Sequence, residues 1–147
     1  MLTVTTRCYR SPDEIDLAVF AEVPRTAQWW WAHPTVVAQD ERGTLIGYAS
    51  FSLSLPPTVT LAELQPRAIG WGQGMAVHPE FRGRGIGQQL IEARVRVLHE
   101  LGVHFFIGHA APANTAMAAL FARQGLTPAA TLPQADGTDL IYYMGAL

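Results

Sequence analysis

The stretch from Gly74 to Glu92 reads G-M-A-V-H-P-E-F-R-G-R-G-I-G-Q-Q-L-I-E and constrains this chain more than any other. An apolar run, Met75–Ala76–Val77, reads as the end of a strand that His78-Pro79 stops. The segment R-G-R-G-I-G over 82–87 follows, and an amphipathic helix begins there. A strand, a glycine-rich turn and a helix N-terminus together make an anion site. The first amides of a helix lack internal partners and carry the positive end of its dipole. Glycines let those amides come close to a phosphate, because no Cβ stands in the way. Arg82 and Arg84 bring positive charge to the same place.

Three phosphate-binding loops compete for this segment. A P-loop needs G-x-x-x-x-G-K-[ST], and all ten cationic side chains here are arginine, so no lysine is available. A dinucleotide fingerprint needs G-x-G-x-x-G; Gly85 and Gly87 start it, but Leu90 stands at the third glycine position. The pattern R-x-x-G-x-G is met in full by Arg82, Gly85 and Gly87. With the preceding A-V-H-P-E-F-R-G, it resembles the pyrophosphate loop of the GNAT superfamily of N-acetyltransferases, which bind acetyl-CoA. A second segment, N-T-A-M-A-A-L-F-A-R-Q-G-L over 114–126, is similar to that family's later motif. Physically, Asn114 caps a helix and Gly125 ends it. In the family the asparagine also helps hold the pantetheine arm. The resemblance covers residues 35 to 147.

Along the chain, 3–9 reads as a strand. Ser11-Pro12-Asp13-Glu14 is a capping box that opens a helix over 12–22, and 26–33 reads as a second short helix. Strands follow over 35–39 and 44–55, joined by a hairpin turn at Asp40-Glu41-Arg42-Gly43, and another over 67–77. A helix over 83–101 buries Ile86, Leu90, Ala93, Val97 and Leu101. A strand over 103–109, a helix over 113–124, and two strands over 127–132 and 138–145 complete the order. Periodicity alone specifies an α/β chain with one domain. The resemblance implies a GNAT fold of the α/β (α+β) class. This is a mixed, mostly antiparallel central sheet of six to seven strands flanked by about four helices, spanning 1–147 as one domain.

Composition excludes several function classes. A net charge of −2 offers no overall attraction to nucleic acid or an anionic membrane. No apolar run approaches the ~20 residues of a membrane helix, and no secretory signal is visible. The single cysteine, Cys8, fits a reducing, cytoplasmic setting and reads as a small buried hydrophobe. No histidine–carboxylate spacing suggests a metal.

The resemblance further implies that the strands over 67–77 and 103–109 are parallel neighbours that splay apart around the CoA arm. Met75 and Val77 would bond the pantetheine through their backbones. The thioester would lie near Met75 and Ala76, and Arg82, Gly83, Arg84, Gly85, Ile86 and Gly87 would hold the pyrophosphate. Asn114 and Phe121 would complete the cofactor contacts. An acceptor amine would attack the thioester directly. The family's usual general acid is a tyrosine at the position of Phe121, and phenylalanine cannot protonate a thiolate; the proton would come from another group, with Tyr142 or Tyr143 of the last strand as candidates, or from water, or the chain would not catalyse. His109 stands where many members carry an acid, and a neutral imidazole could deprotonate an ammonium acceptor. His78 reads as a turn residue and His99 as solvated.

Gly70, Gly72 and Gly74 leave one face of their strand bare, for either close packing or a substrate. The other face carries Trp71. Consecutive tryptophans Trp29, Trp30 and Trp31 cannot all face a helix core. The rings left over would build an acceptor wall or a homodimer contact. The expected acceptor is a small-molecule amine. A peptide amine and a non-catalytic acetyl-CoA-binding domain are the alternatives.

Overall fold

A computed structural model describes residues 5–9, 35–54 and 69–147. Its strands are β1 (Thr5–Tyr9), β2 (Thr35–Gln39), β3 (Leu45–Ser54), β4 (Ile69–Val77), β5 (Phe105–Ala110), β6 (Thr127–Pro133) and β7 (Asp139–Ala146). Its helices are α1 (Ile86–Glu100) and α2 (Thr115–Gln124). Hydrogen-bonded neighbours run β1-β2-β3-β4-β5-β7-β6 in a seven-stranded mixed sheet. The pairs β1–β2, β2–β3, β5–β7 and β6–β7 are antiparallel, whereas β4 and β5 are parallel from Ile69↔Phe105 to Trp71↔Ile107. The fold class is therefore as expected. The helices expected over 12–22 and 26–33 lie outside the described residues.

The chain forms two compact units, residues 1–52 with 73–97 and residues 53–72 with 98–147. In the first, Val36, Ala38, Ile46, Ala49, Ile86, Leu90 and Ala93 form a buried cluster, with Met75, Val77, Phe81 and Val97 packed against it. Burying each larger aliphatic side chain stabilises by about 1.5–3 kcal/mol. Gly47 admits the helix: a Cβ there would lie 3.0 Å from the Ala76 carbonyl oxygen and 3.1 Å from Leu90.

The buried face of α1 differs from its expected composition. Leu101 lies beyond the helix and is exposed, while Ile91, Leu98 and Arg94 are buried. Arg94 is only 2% exposed, and its Nη1 donates to the Ser50 carbonyl at 3.4 Å. Loss of water around the guanidinium lowers its pKa to about 10. Ser50 Oγ and Thr35 Oγ1, both buried, lie 3.0 Å apart. Hydrophobic periodicity passes over such a residue, because a charged side chain counts as polar wherever it lies.

In the second unit the bare glycine face is filled. A Cβ at Gly70 would meet Phe106 at 3.0 Å and Leu98 at 3.1 Å, and one at Gly72 would meet Phe106 at 3.1 Å. Close packing, the alternative to a substrate cavity, accounts for these two glycines. The β6–β7 turn falls at 134–137 as expected, with Gln134 N–H donating to the Thr138 carbonyl at 2.7 Å.

Candidate functional site

The loop after β4 is built by its own backbone. His78 N–H donates to the Ile46 carbonyl at 2.7 Å, holding the end of β4 against β3. Pro79–Phe81 then forms one 3-10 turn, and His78 Nδ1 accepts from Glu80 N–H at 3.2 Å. His78 is thus a turn residue. Arg82 folds back, its Nε donating to the Val77 carbonyl at 3.0 Å, and the Arg84 guanidinium lies 5.4 Å above the Phe81 ring. Both arginines are exposed and pinned beside the loop.

Gly83 and Gly85 have φ of 76° and 79°, a region that side-chain-bearing residues rarely adopt. Helix α1 therefore starts at Ile86 and not at Gly83. Its first helical bond runs from Gln89 N–H to the Gly85 carbonyl at 3.1 Å. The amides of Ile86, Gly87 and Gln88 precede that bond and have no intrahelical acceptor. Gly85, at the cap position, offers no side-chain oxygen, and no acid occupies the first turn. Among the described residues no heavy atom lies within 4 Å of where a Cβ would stand on Gly83 or Gly85, chain neighbours aside. The N-terminus of α2 is finished differently: Asn114 Oδ1 accepts from Met117 N–H at 3.1 Å. One helix caps itself; the other, among the described residues, presents amides without an acceptor, open space and two arginines. That combination fits a phosphate group.

The other expected site residues lie on β4, β5, β7 and α2. His109 is half-buried on β5, directly across from Tyr142 on β7, with ring centroids 5.6 Å apart. Burial holds the His109 pKa below the ordinary value of 6.5, against a smaller upward pull from the Gly72 backbone. Phe121 is buried at 3% exposure, its ring 5.0 Å from that of Tyr143 and seated over Gly108. Tyr142 and Tyr143 thus face opposite sides of β7, with His109 and Phe121 respectively. Trp71 lies on the face away from Phe106, paired with Ile107. His99 is exposed, its ring 5.1 Å from that of His104. Trp29, Trp30 and Trp31 lie outside the described residues. Among the described residues no helix is long and apolar enough to cross a membrane.

Sequence reasoning missed two members of this neighbourhood. The Gly72 backbone has no side chain to announce it. Gly108 matters only because Phe121 lies over it.

Asn114→Ala should cost about 1 kcal/mol of stability through the lost cap. Urea denaturation reads this loss, and a cost near zero would show that Met117 N–H finds another acceptor.

The sheet order and the bare, glycine-started helix after β4 define a class shared with known proteins. The family model for the Acetyltransferase (GNAT) family matches residues 5–126, and the chain belongs to that family. It is 30% identical over 108 residues to mycothiol acetyltransferase of Propionibacterium freudenreichii subsp. shermanii, a match covering 73% of this chain and 32% of that protein. It is 26% identical over 102 residues to the L-methionine sulfoximine/L-methionine sulfone acetyltransferase of Pseudomonas paraeruginosa, covering 69% and 55% respectively. The chain thus spans about a third and about half of these two relatives. In structure it is similar to Arabidopsis thaliana NAA60 in complex with acetyl-CoA, with a TM-score of 0.74, 14% identity, and coverage of 99% of this chain and 100% of that one.

Proposed function

We propose that this chain moves the acetyl group of acetyl-CoA to a primary amine of a small molecule, by direct attack within a ternary complex. The observation that carries the reading is the N-terminus of α1. Three amides without helical acceptors follow Gly83 and Gly85, beside Arg82 and Arg84, where the CoA pyrophosphate would be held. The backbones of Met75, Ala76 and Val77 would take the pantetheine arm and thioester, with Asn114 and Phe121 also on the cofactor. Both curated relatives bear the names of small-molecule acetyltransferases, which favours a small amine over a peptide. Trp71, with Trp29 and Trp30, would contact that acceptor.

In the reaction the amine nitrogen forms a bond to the acetyl carbonyl carbon, the carbon–sulfur bond breaks, and CoA leaves as a thiolate. The acceptor must first lose a proton from its ammonium form. His109 would take it. The depressed pKa keeps its imidazole neutral further into the acid range than an exposed histidine. Positioning and desolvation would supply most of the remaining acceleration. The nitrogen sheds its second proton as the carbon–sulfur bond breaks, and that proton balances the thiolate; Phe121 cannot relay it, so water or another group must.

Calorimetric titration with acetyl-CoA, followed by a CoA-release assay on a panel of small amines, tests the reading. Saturable one-site binding with amine-dependent release is expected. A folded protein that binds no acetyl-CoA at millimolar concentration would overturn it. His109→Ala should lower kcat/KM by about 100-fold at the acid end of the profile. The loss should shrink as pH rises and free amine accumulates; an unchanged pH–rate profile would remove His109 from the mechanism. The same pKa shift sets a stability slope. As pH falls through 6.5 the unfolded chain takes up a proton that folded His109 resists, so stability declines toward acid.

A further inference from the structure

We propose that His99 and His104 form a two-histidine chelating site for a divalent transition-metal ion of the zinc and copper group. The site is independent of the acetyl-transfer reading.

The cap that ends α1 sets the two imidazoles side by side. Gly102 has a φ of 77°. Its N–H donates to the His99 carbonyl at 3.0 Å, and Val103 N–H donates to the Leu98 carbonyl at 2.9 Å. These two nested bonds make the glycine-ended cap in which the apolar residues on either side of the turn pack together. Leu98 and Val103 are both fully buried. His99 follows the first and His104 follows the second, so each imidazole hangs from a backbone next to an anchored residue. The His104 carbonyl also accepts from Leu147 N–H at 2.9 Å. The backbone is therefore fixed at both positions, while both side chains are exposed.

The two rings lie with centroids 5.1 Å apart and planes tilted by 40°. With metal–nitrogen bonds of about 2.0–2.1 Å and a nitrogen–metal–nitrogen angle of about 90–110°, two imidazoles on one ion have centroids about 4.5–5.2 Å apart. The separation in this chain falls in that range. Exposure leaves the side-chain torsions free to turn one nitrogen of each ring toward a shared ion. Little ordering is then lost on binding, because the cap has already brought the rings together. Imidazole suits zinc, copper and nickel, whereas magnesium and calcium take oxygen ligands. Among the described residues no group of three histidine, cysteine, aspartate or glutamate side chains is placed to hold an ion. Two imidazoles with water in the remaining positions therefore make the coordination sphere. Sequence spacing passes over this pair, because His99 and His104 are five residues apart across a helix end. Neither helical nor strand periodicity puts such residues together; the glycine cap does.

Calorimetric titration of the full chain, freed of metal with a chelator, with Zn²⁺ and separately with Cu²⁺ tests the site. One saturable site is expected for each ion, tighter for Cu²⁺. His99→Gln and His104→Gln should each weaken binding by about 100-fold, because losing either ring destroys the chelate. The double variant should bind little worse than either single one. Electron paramagnetic resonance of the Cu²⁺ complex should show two equatorial imidazole nitrogens in wild type and fewer in each variant. Zn²⁺ should raise the melting temperature of wild type and Mg²⁺ should not. The variants change exposed rings, so without metal they should melt with wild type. His78→Gln, a control on a separate turn, should bind as wild type does. Absence of saturable Zn²⁺ and Cu²⁺ binding would overturn the proposal. So would wild-type affinity in His99→Gln or His104→Gln, which would put the ion elsewhere on the chain. An equal loss in His78→Gln would mark unspecific binding to histidines and would overturn it too.

Discussion

Gly85→Val should weaken acetyl-CoA binding by about 100-fold or more while leaving the fold intact. Two independent costs combine. Gly85 has a φ of 79°, which for a side-chain-bearing residue costs about 1–2 kcal/mol and is worse for a β-branched one. The loop would shift to escape it, and the amides of Ile86, Gly87 and Gln88 would lose their common aim. Each charge-assisted hydrogen bond to a phosphate contributes about 1.5–3 kcal/mol. Even a valine held in the native conformation would put its branched carbons in the open space over the loop, where the phosphate has to come. Calorimetry on the variant, with circular dichroism to verify folding, reads the effect. Undiminished affinity would show that the pyrophosphate is held elsewhere.

Phe121→Ala should destabilise the protein by about 3–5 kcal/mol, the usual cost of emptying an aromatic core site. The ring is buried, packs on Tyr143 at 5.0 Å, and fills the space that a Cβ on Gly108 would occupy, 2.5 Å from Cζ. At about 2–4 °C per kcal/mol for a chain of this size, the melting temperature should fall by roughly 10 °C. Gly108→Ala approaches the same contact from the other side and should cost about 1–3 kcal/mol by overpacking. The two changes share one contact, so their effects should not add. A Phe121→Ala cost below about 1 kcal/mol would mean that the ring does not fill this site. Phe121 serves here as the packing link between α2 and β5.

Element order was readable almost throughout. Strand β2 falls on its expected residues, and the ends of β3, β5, β6 and β7 lie within about two residues of expectation, the usual precision of element ends. These segments were legible because turn residues bracket them: Asp40 to Gly43, Gly102, Asn114, Gly125 and Gln134 to Gly137. The start of α1 was misplaced by three residues. Gly83 and Gly85 read as helix-compatible letters in a periodic pattern, whereas their positive φ is a property of the folded turn. Arg94 was missed for a related reason, since its burial depends on which strands cover the helix.

The glycine-rich loop proposed to hold the pyrophosphate was determined by the sequence alone, because its chemistry is local. Three glycines, two arginines and a helix start within six residues set its character whatever surrounds them. The family followed from that loop and the Asn114–Leu126 segment. Only the tertiary structure decided which partners His109, Tyr142 and Phe121 meet. Those contacts arise between residues far apart in the chain: a β5–β7 rung and a glycine beneath a ring. Side-chain alternation along one strand assigns a residue to a face. The partner it meets there is set by register, which is a property of the assembled sheet.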